Sequence, residues 1–336
     1  MKKRNILILI ILLFIVFGGY YYYDNAQGGY LSYERDFSIK NFKDIRTIFI
    51  ANRPTGERFV LHKEEDGHWT VNGKRANNII MKGMVAALHS LVIQYKPSRA
   101  AYVNVMHNIT SHALKIEAYD SHNRLMKTLY LGGTPADSYG TYAMVAGSDE
   151  PFVIHRKLEE GDVRAVFDMR EDDLRDPFLF PVSIDDIKEV KVDYPLRPAI
   201  SYHIRSAGKG YELMPLYPNT PNPPGEPNQS IIQDYLYAFK SVECEGFINA
   251  NPVRDTIPSV VPYAIVEVRT QDTTLKIQTY PWDQELLQIR LKGELSEKAN
   301  IFHYICLSKE NDLTLVQTPL IEKIFRRYQD FFVSSK

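Results

Sequence analysis

The stretch Leu114-Lys115-Ile116-Glu117-Ala118-Tyr119 decides the fold, because apolar and polar side chains alternate along it. A period of two places its three apolar residues on one face of a β-strand and its polar residues on the other. The stretch Ala264-Ile265-Val266-Glu267-Val268-Arg269 shows the same alternation 150 residues later. Such a pattern is typical of antiparallel sheets that bury one face, so the sequence predicts β-rich structure in both halves of the chain.

Further elements recur in the same order in both halves, which predicts an internal duplication. The matching strand segments, first half and then second half, are residues 48–50 and 190–192, 59–61 and 202–204, 69–71 and 211–213, 142–145 and 304–307, and 152–154 and 314–316. The offset grows from 142 to 162 residues, and its two increases fall at residues 215–227 and 282–301. Residues 215–227 contain six prolines, so they are expected to form an inserted surface loop.

Each half contains one amphipathic helix between its strands. Asn78 is expected to cap the first helix, and Asn228 or Ser230 the second. The expected buried faces are Ile80, Met84, Ala87, Leu88 and Leu91 in the first, and Ile231, Tyr235, Ala238, Phe239 and Val242 in the second. Each half also ends in an expected helical stretch, at residues 158–174 and 320–332. We therefore predict an α+β fold with two tandem repeats, residues 38–180 and 181–336, each an antiparallel sheet with one packed helix.

The N-terminus predicts a single transmembrane helix. Residues 1–4 include three basic side chains and are expected in the cytoplasm. Residues 5–23 are the predicted membrane helix, since residues 6–17 have no polar side chain and four tyrosines end the segment. The segment from Ile6 to Tyr23 would span roughly 27 Å as a helix, close to the thickness of a bilayer. Residues 24–37 would then be a tether to an extracytoplasmic domain. A cleaved signal peptide is the alternative, although cleavage after Ala26 or Gly19 would place Asp24 or Phe17 where a small residue is required.

Composition disfavours a nucleic-acid surface. The formal net charge is −1, and the chain shows no basic stripe. The two cysteines, Cys244 and Cys306, are too few for a disulfide scaffold. Both match apolar positions of the first repeat, which favours burial, and a disulfide between them is left open.

Several short motifs resemble a known family. They are Leu131-Gly132-Gly133-Thr134-Pro135, Gly140-Thr141-Tyr142, Ser148-Asp149-Glu150-Pro151-Phe152-Val153, Leu174-Arg175-Asp176 and Ile184-Asp185-Asp186-Ile187. In these motifs the chain resembles the bacterial domain-of-unknown-function 4340 family, over about residues 37–332. In the second half, Tyr280-Pro281-Trp282 replaces the Gly-Gly-Thr-Pro stretch.

The resemblance implies an envelope protein anchored in the bacterial inner membrane. Some relatives are encoded beside components of ABC transporters and of gliding-type systems, which makes such a complex the expected partner. The family has no established biochemical role, so the resemblance bears on location and architecture more than on activity.

The residue types that carry chemistry form no recognisable motif. His107 and His112 have a spacing that fits no zinc site, and a surface loop is their expected setting. The acidic run at residues 171–173, with Asp176, lacks the alternating ligands and the glycine of a calcium loop, which favours a solvated helix end. The two glycines at 132 and 133 are expected in a turn between strands and not in a phosphate loop, because no lysine and no helix follow them.

These observations favour a non-enzymatic adaptor or accessory protein of a bacterial envelope complex, without metal or cofactor. The alternative is a protein that binds glycan or peptidoglycan through exposed aromatic side chains. An uncharacterised envelope enzyme is the third hypothesis.

The topology can be tested with a fusion after Phe332 of a reporter enzyme that is active only outside the cytoplasm. We expect the reporter to be active, because the basic residues at positions 2–4 keep the N-terminus inside. A fusion lacking residues 1–23 is the matched control and should be inactive. Activity of a cytoplasmic reporter at the same site would contradict the predicted orientation.

Overall fold

The computed structural model describes residues 36–159, 161–208, 210–282 and 301–332, together with Val16 and Gly18. The chain divides into two compact units between Asp176 and Pro177, here called unit 1 and unit 2. Nearly all of the predicted anchor and tether, and residues 283–300 of the second insertion, lie outside the described residues. Within the described part of the chain, no helix has the length and apolar character needed to cross a membrane.

Unit 1 is built on one sheet. Its elements are β1 (Thr47–Asn52), β2 (Arg58–Lys63), β3 (Trp69–Val71), β4 (Lys74–Arg75), α1 (Asn78–Ser90), β5 (Leu91–Tyr95), α2 (Tyr102–His112), β6 (Leu114–Tyr119), β7 (Leu125–Leu131), β8 (Thr141–Val145), β9 (Phe152–Arg156) and α3 (Glu171–Leu174). The strand order is β4-β3-β2-β1-β6-β7-β8-β9-β5, and neighbouring strands are antiparallel.

Unit 2 is built on a second sheet. Its elements are β10 (Glu189–Asp193), β11 (Tyr202–Ala207), β12 (Gly210–Pro215), α4 (Gln229–Ala238), β13 (Gly246–Phe247), β14 (Ala264–Arg269), β15 (Thr274–Trp282), β16 (His303–Ser308), β17 (Leu313–Gln317) and α5 (Thr318–Ile321). The strand order is β12-β11-β10-β14-β15-β16-β17-β13, again antiparallel throughout. Two antiparallel sheets with few helices confirm the α+β class.

The alternation of apolar residues predicts the buried face of the sheets correctly. In unit 1 the apolar residues of β6 pair with those of β1, for example Ile116 with Ile50, and both side chains are buried. Helix α1 covers this face through Met84 and Leu88. Each fully buried side chain of this size contributes about 1.5–3 kcal/mol through the removal of apolar surface from water.

The N-cap of α1 lies one residue before the predicted cap, Asn78. Asn77 is the N-cap, since its side chain accepts hydrogen bonds from the backbone N–H groups of Ile79 (3.0 Å) and Ile80 (3.5 Å). Asn78 instead accepts a hydrogen bond from the N–H of Trp69 (3.2 Å). In α4 the expected cap Asn228 is confirmed, because it accepts from the N–H groups of residues 230 and 231.

The core of unit 2 is rich in aromatic side chains. Tyr202 and Tyr235 both contact Phe331 edge to face, with ring centroids 5.0 and 5.2 Å apart, and Tyr235 also contacts Phe239 at 5.3 Å. Such pairs add about 0.5–1.5 kcal/mol beyond the burial of their area. Phe331 therefore fixes the C-terminal end of the unit against α4.

The two expected C-terminal helices are wrong as continuous elements. In the described residues 158–159 and 161–174, the helical structure is limited to a 3-10 turn at Arg164–Val166 and the single turn of α3. Leu158 and Gly161 have positive φ angles, +66° and +123°, which a right-handed helix does not allow. In unit 2, α5 stops at Ile321, and the described residues from there to Phe332 contain two 3-10 turns, at Glu322–Ile324 and Tyr328–Phe331.

The sequence interpretation also missed three elements of unit 1, β4, β5 and α2. Unit 1 therefore has a second helix of substantial length, where one packed helix was predicted. This helix, with 11 residues, lies on the side of the sheet away from α1 and forms the candidate site described below.

The proline-rich segment forms hydrogen bonds with the rest of unit 2. Tyr217 donates a hydrogen bond from its hydroxyl to Asp193 (3.1 Å), and Asn222 accepts one from the hydroxyl of Tyr328 (2.8 Å). Thr220 is buried. No helix or strand lies in the described residues 216–226, which is the loop character that the prolines predict.

Removal of the α1 cap should destabilise the protein measurably. Replacement Asn77→Ala leaves two helix N–H groups without their acceptor, so we expect a loss of about 1 kcal/mol in the free energy of unfolding. Asn77→Asp retains an acceptor at the same position and is the matched control. Equal stability of the alanine variant and the wild type in urea unfolding would refute this role.

Candidate functional site

Helix α2 covers the face of the unit 1 sheet opposite α1. Successive residues of a strand point to opposite faces, so Ala143 lies in the α1 core while Met144 faces α2. Val105 and Ile109, one turn apart on the helix, pack on Met144 beside the half-buried Tyr130. The middle of this sheet is therefore covered on both faces.

The close approach of α2 to the sheet requires Gly132. A Cβ at Gly132 would lie 2.6 Å from Oδ1 of Asn108 and 3.0 Å from Cγ1 of Ile109, so a side chain cannot fit without movement. Asn108 Oδ1 accepts a hydrogen bond from the N–H of Gly133 at 2.6 Å. Both glycines also continue the ladder to β8, because Gly132 donates to and Gly133 accepts from the backbone of Tyr142 (2.7 and 3.0 Å). The two glycines thus allow α2 to pack closely on the sheet, in addition to forming the strand connection that the sequence predicts.

Arg164 joins the end of α2 to the sheet. Its guanidinium donates to the carbonyl oxygens of His112 and Leu131 and, through Nε, to Oδ2 of Asp168 (2.7 Å). Oδ1 of the same carboxylate accepts from Nδ2 of Asn52 at 2.7 Å. Arg164, which follows β9 in the chain, therefore positions the end of α2 directly and the end of β1 through Asp168.

A cavity of about 500 Å³ lies between α2, the β1–β2 hairpin and the sheet; we call it the α2 groove. Its volume falls within the range of ligand pockets, about 300–1,000 Å³. The apolar lining consists of Ala51, Met106, Ile109, Ala113, Tyr130 and Met144. The remaining lining consists of Asn52, Arg53, Gly56, Glu57, Arg58, Thr110 and Lys115.

The charged residues of the α2 groove differ in their hydrogen bonds and ion pairs with the rest of the protein. Arg53 donates to the carbonyl oxygen of Thr110 at the C-terminal end of α2, where a cation is favourable. Lys115 forms an ion pair with Glu117 at 2.7 Å, and this hydrogen bond raises the pKa of Lys115 above its usual value. Arg58 forms no ion pair within the described residues and is exposed, so it is the cation most available to a bound molecule.

A family model described as Domain of unknown function (DUF4340) matches residues 83–259. The chain belongs to this family. The match begins within α1, includes α2 and the remainder of unit 1, and extends into unit 2. The resemblance inferred from the sequence motifs is therefore confirmed. No curated protein and no solved structure matches this DUF4340 chain.

In this DUF4340 protein, His107 and His112 lie on α2 and not in the expected loop. His107 and His112 are both exposed. The helix was missed because only Val105 and Ile109 form its buried stripe, so its apolar period is barely visible. Within the described residues, no group of three or more histidines, cysteines or acidic residues is arranged to hold a metal.

The acidic run around α3 is engaged in pairs with basic side chains. Asp173 pairs with Arg170 at 3.0 Å, and Asp176 with Arg75 at 2.8 Å. Glu171 accepts from Nδ2 of Asn72 at 2.8 Å. These carboxylates therefore help to close unit 1 at its C-terminal end.

Cys244 and Cys306 are both buried in the core of unit 2, and no disulfide joins them in the structure. Cys306 lies in β16, Cys244 precedes β13, and β17 lies between those two strands. Burial, with a contribution from Cys244, raises the pKa of the Cys306 thiol. The disulfide stays a prediction.

The approach of α2 can be tested at Gly132. We expect Gly132→Ala to destabilise the protein by about 1–3 kcal/mol, because the new methyl group overpacks the contact with Asn108. Gly83→Ala is the matched control: its site within α1 is open, so the change should stabilise the helix by about 0.5–1 kcal/mol.

The same pair of residues allows a double-mutant cycle by urea unfolding. Gly132→Ala should cost less in an Asn108→Ala background, since the atom nearest to the new methyl group is then gone. Additive effects of the two changes would show that Asn108 does not limit the space at Gly132.

Proposed function

We propose that this protein is a membrane-anchored accessory protein that acts by contact with other proteins of a bacterial envelope complex. The α2 groove is the observation that carries the proposal, because it is a formed concave site with an apolar floor and a charged rim. In support, the apolar N-terminal sequence predicts an anchor that would hold the two units close to a membrane. A tethered binder gains effective concentration toward other membrane proteins and does not need a tight interface.

We propose a contact role in preference to catalysis because the polar groups around the groove have structural tasks. Asp168 binds Arg164 and Asn52, and Glu117 binds Lys115. Arg53 holds the end of α2. Substitution of these groups is therefore expected to change stability or binding.

A glycan-binding role is the second candidate. Sugars bind on exposed aromatic faces, and the aromatic residue of the groove is Tyr130, which is half-buried between α2 and the sheet. The rest of the apolar lining is aliphatic or thioether, including Met106 and Met144. This lining favours a protein partner over a glycan.

We propose further that units 1 and 2 are copies of one domain. Apart from β4, the two sheets have the same strand order, since β3-β2-β1-β6-β7-β8-β9-β5 matches β12-β11-β10-β14-β15-β16-β17-β13 position by position. The pairing register supports the same match with one correction: Cys306 occupies the place of Ala143, one residue from the sequence match to Met144.

At the position in unit 2 that corresponds to the α2 groove, the space is filled by buried side chains. Leu131 and Thr279 pair with the first residues of β6 and β14, so the next residues, Gly132 and Tyr280, occupy the same position. Tyr280 is buried with Ile257, Ile305 and Leu313 in a cluster on this face. We therefore propose that unit 1 carries the contact site.

The proposal can be tested by photo-crosslinking in intact cells. A photoreactive amino acid at the exposed Thr110, in the full-length chain, should capture the same envelope protein reproducibly, as identified by mass spectrometry. Components of an ABC-type complex are the first expected partners, by analogy with the gene neighbourhoods of relatives. The same probe at the exposed Lys157, which lies outside the groove, is the matched control.

Three outcomes would count against the contact role at this site. Capture of identical proteins from both positions would remove the groove from the proposal. Crosslinks to cell-wall glycan alone would favour the second candidate. Turnover of a substrate by the purified chain, abolished by one change that leaves the fold intact, would establish an enzyme.

A further inference from the structure

A second cavity of unit 1 lies beside α1, and we call it the lysine pocket after Lys43, Lys63 and Lys82 in its lining. Its volume is about 450 Å³, within the range of ligand pockets. Lys43 lies in the 3-10 turn at Phe42–Asp44, Lys63 ends β2, and Lys82 lies on α1. The pocket shares no lining residue with the α2 groove and lies on the face of the sheet that α1 covers.

The charge of the lysine pocket is not balanced by the residues around it. No carboxylate is among the described residues that line it. Lys43, Lys63 and Lys82 form no ion pair within the described part of the chain, whereas Lys115 of the same unit pairs with Glu117. Three like charges around one concave surface repel one another, so an anion bound among them would be stabilised.

The type of cation favours a phosphate over a carboxylate. Arginine binds a carboxylate through two parallel hydrogen bonds, and the described lining contains no arginine. Lysine acts as a compact point charge with three donors and is a common phosphate ligand. A phosphate monoester carries a charge of about −1.5 to −2 at pH 7 and offers three terminal oxygens, so it matches three ammonium groups better than a single carboxylate does.

The remaining lining of the pocket is apolar and partly aromatic. Trp69 and Ile45 are buried members of the α1 core, and the half-buried Phe42 and Val85 pack against that core. An inorganic anion would contact the lysines and leave this surface in water. An apolar group attached to the anion would cover it, which is favourable.

We propose that the lysine pocket binds a phosphate monoester that carries an apolar or aromatic body. The phosphate lies among Lys43, Lys63 and Lys82, and the body covers Phe42 and Trp69. Two sources supply this chemistry, a soluble phosphate ester and the head group of a phosphatidic acid lipid, and the test separates them. The inference does not depend on the contact function proposed for the α2 groove.

The test uses the full-length chain, labelled with fluorotryptophan, in nanodiscs of phosphatidylcholine. The chain has two tryptophans, Trp69 in the pocket and Trp282 in unit 2, so fluorine NMR provides a reporter and an internal reference. Trp282→Phe assigns the two resonances. Phenyl phosphate should shift the Trp69 resonance saturably and leave the Trp282 resonance in place.

Lysine variants connect this shift to the pocket. We expect Lys43→Gln, Lys63→Gln and Lys82→Gln each to weaken phenyl phosphate binding about fivefold, and the triple variant to weaken it at least fiftyfold. Lys157→Gln removes the same charge from an exposed residue outside the pocket and is the matched control, with unchanged affinity. The melting temperature of every variant should stay near that of the wild type, because no ion pair is lost among the described residues.

The inference is overturned if phenyl phosphate does not shift the Trp69 resonance, or if the triple variant binds as tightly as the wild type. Equal affinity for benzoate would refute the phosphate, and equal affinity for inorganic phosphate would refute the apolar body. Nanodiscs that contain phosphatidic acid distinguish the sources. A lysine-dependent shift of Trp69 in these nanodiscs without added ester supports the site with a lipid as its ligand, and a shift with phenyl phosphate alone supports it with a soluble ester.

Discussion

Strand β7 is covered on both faces, and the architecture of unit 1 follows from this constraint. Leu129 and Leu131 point into the α1 core, whereas Tyr130 points toward α2. Antiparallel sheets commonly leave one face in water. Here α2 covers part of the second face, but a helix of 11 residues spans only about 16 Å. The α2 groove lies beside the C-terminal half of this helix, where the β1–β2 hairpin forms the opposite wall.

The sequence predicts those elements whose signal lies in their own residues. Alternation of apolar and polar residues identifies the strands. Ile48 and Ile50 show it, because each is buried and pairs with a buried residue of the neighbouring strand β2. Helix α2 has no comparable signal, since Val103, Val105 and Ile109 are β-branched and lower its propensity, and only two side chains are buried. In residues 158–174, side-chain hydrogen bonds compete with the helix: Asp162 accepts from the N–H of Arg164.

The candidate site depends on contacts between distant residues, so periodicity could not reveal it. Asn52 is positioned by Asp168, 116 residues further along the chain. From the sequence alone, Gly132 is interpreted as a turn residue. The structure shows why a glycine is needed there, because a Cβ at this position would lie 2.6 Å from Oδ1 of Asn108. The contrast with Tyr280 was visible in the sequence as a departure from the family motif. That the side chain of Tyr280 is buried in a cluster with Ile257, Ile305 and Leu313 became visible only in the structure.

The burial of both thiols gives this protein a practical property for biophysical work. Maleimides and related reagents attack accessible thiolates. Cys244 and Cys306 are shielded in the core, and Cys306 has its pKa raised further by its surroundings. We therefore expect the native cysteines of the wild-type chain to react very little with labelling reagents. A single cysteine introduced on an exposed strand or helix would carry a fluorophore or spin label without prior removal of the native cysteines, and disulfide exchange with them would be slow while the fold is intact.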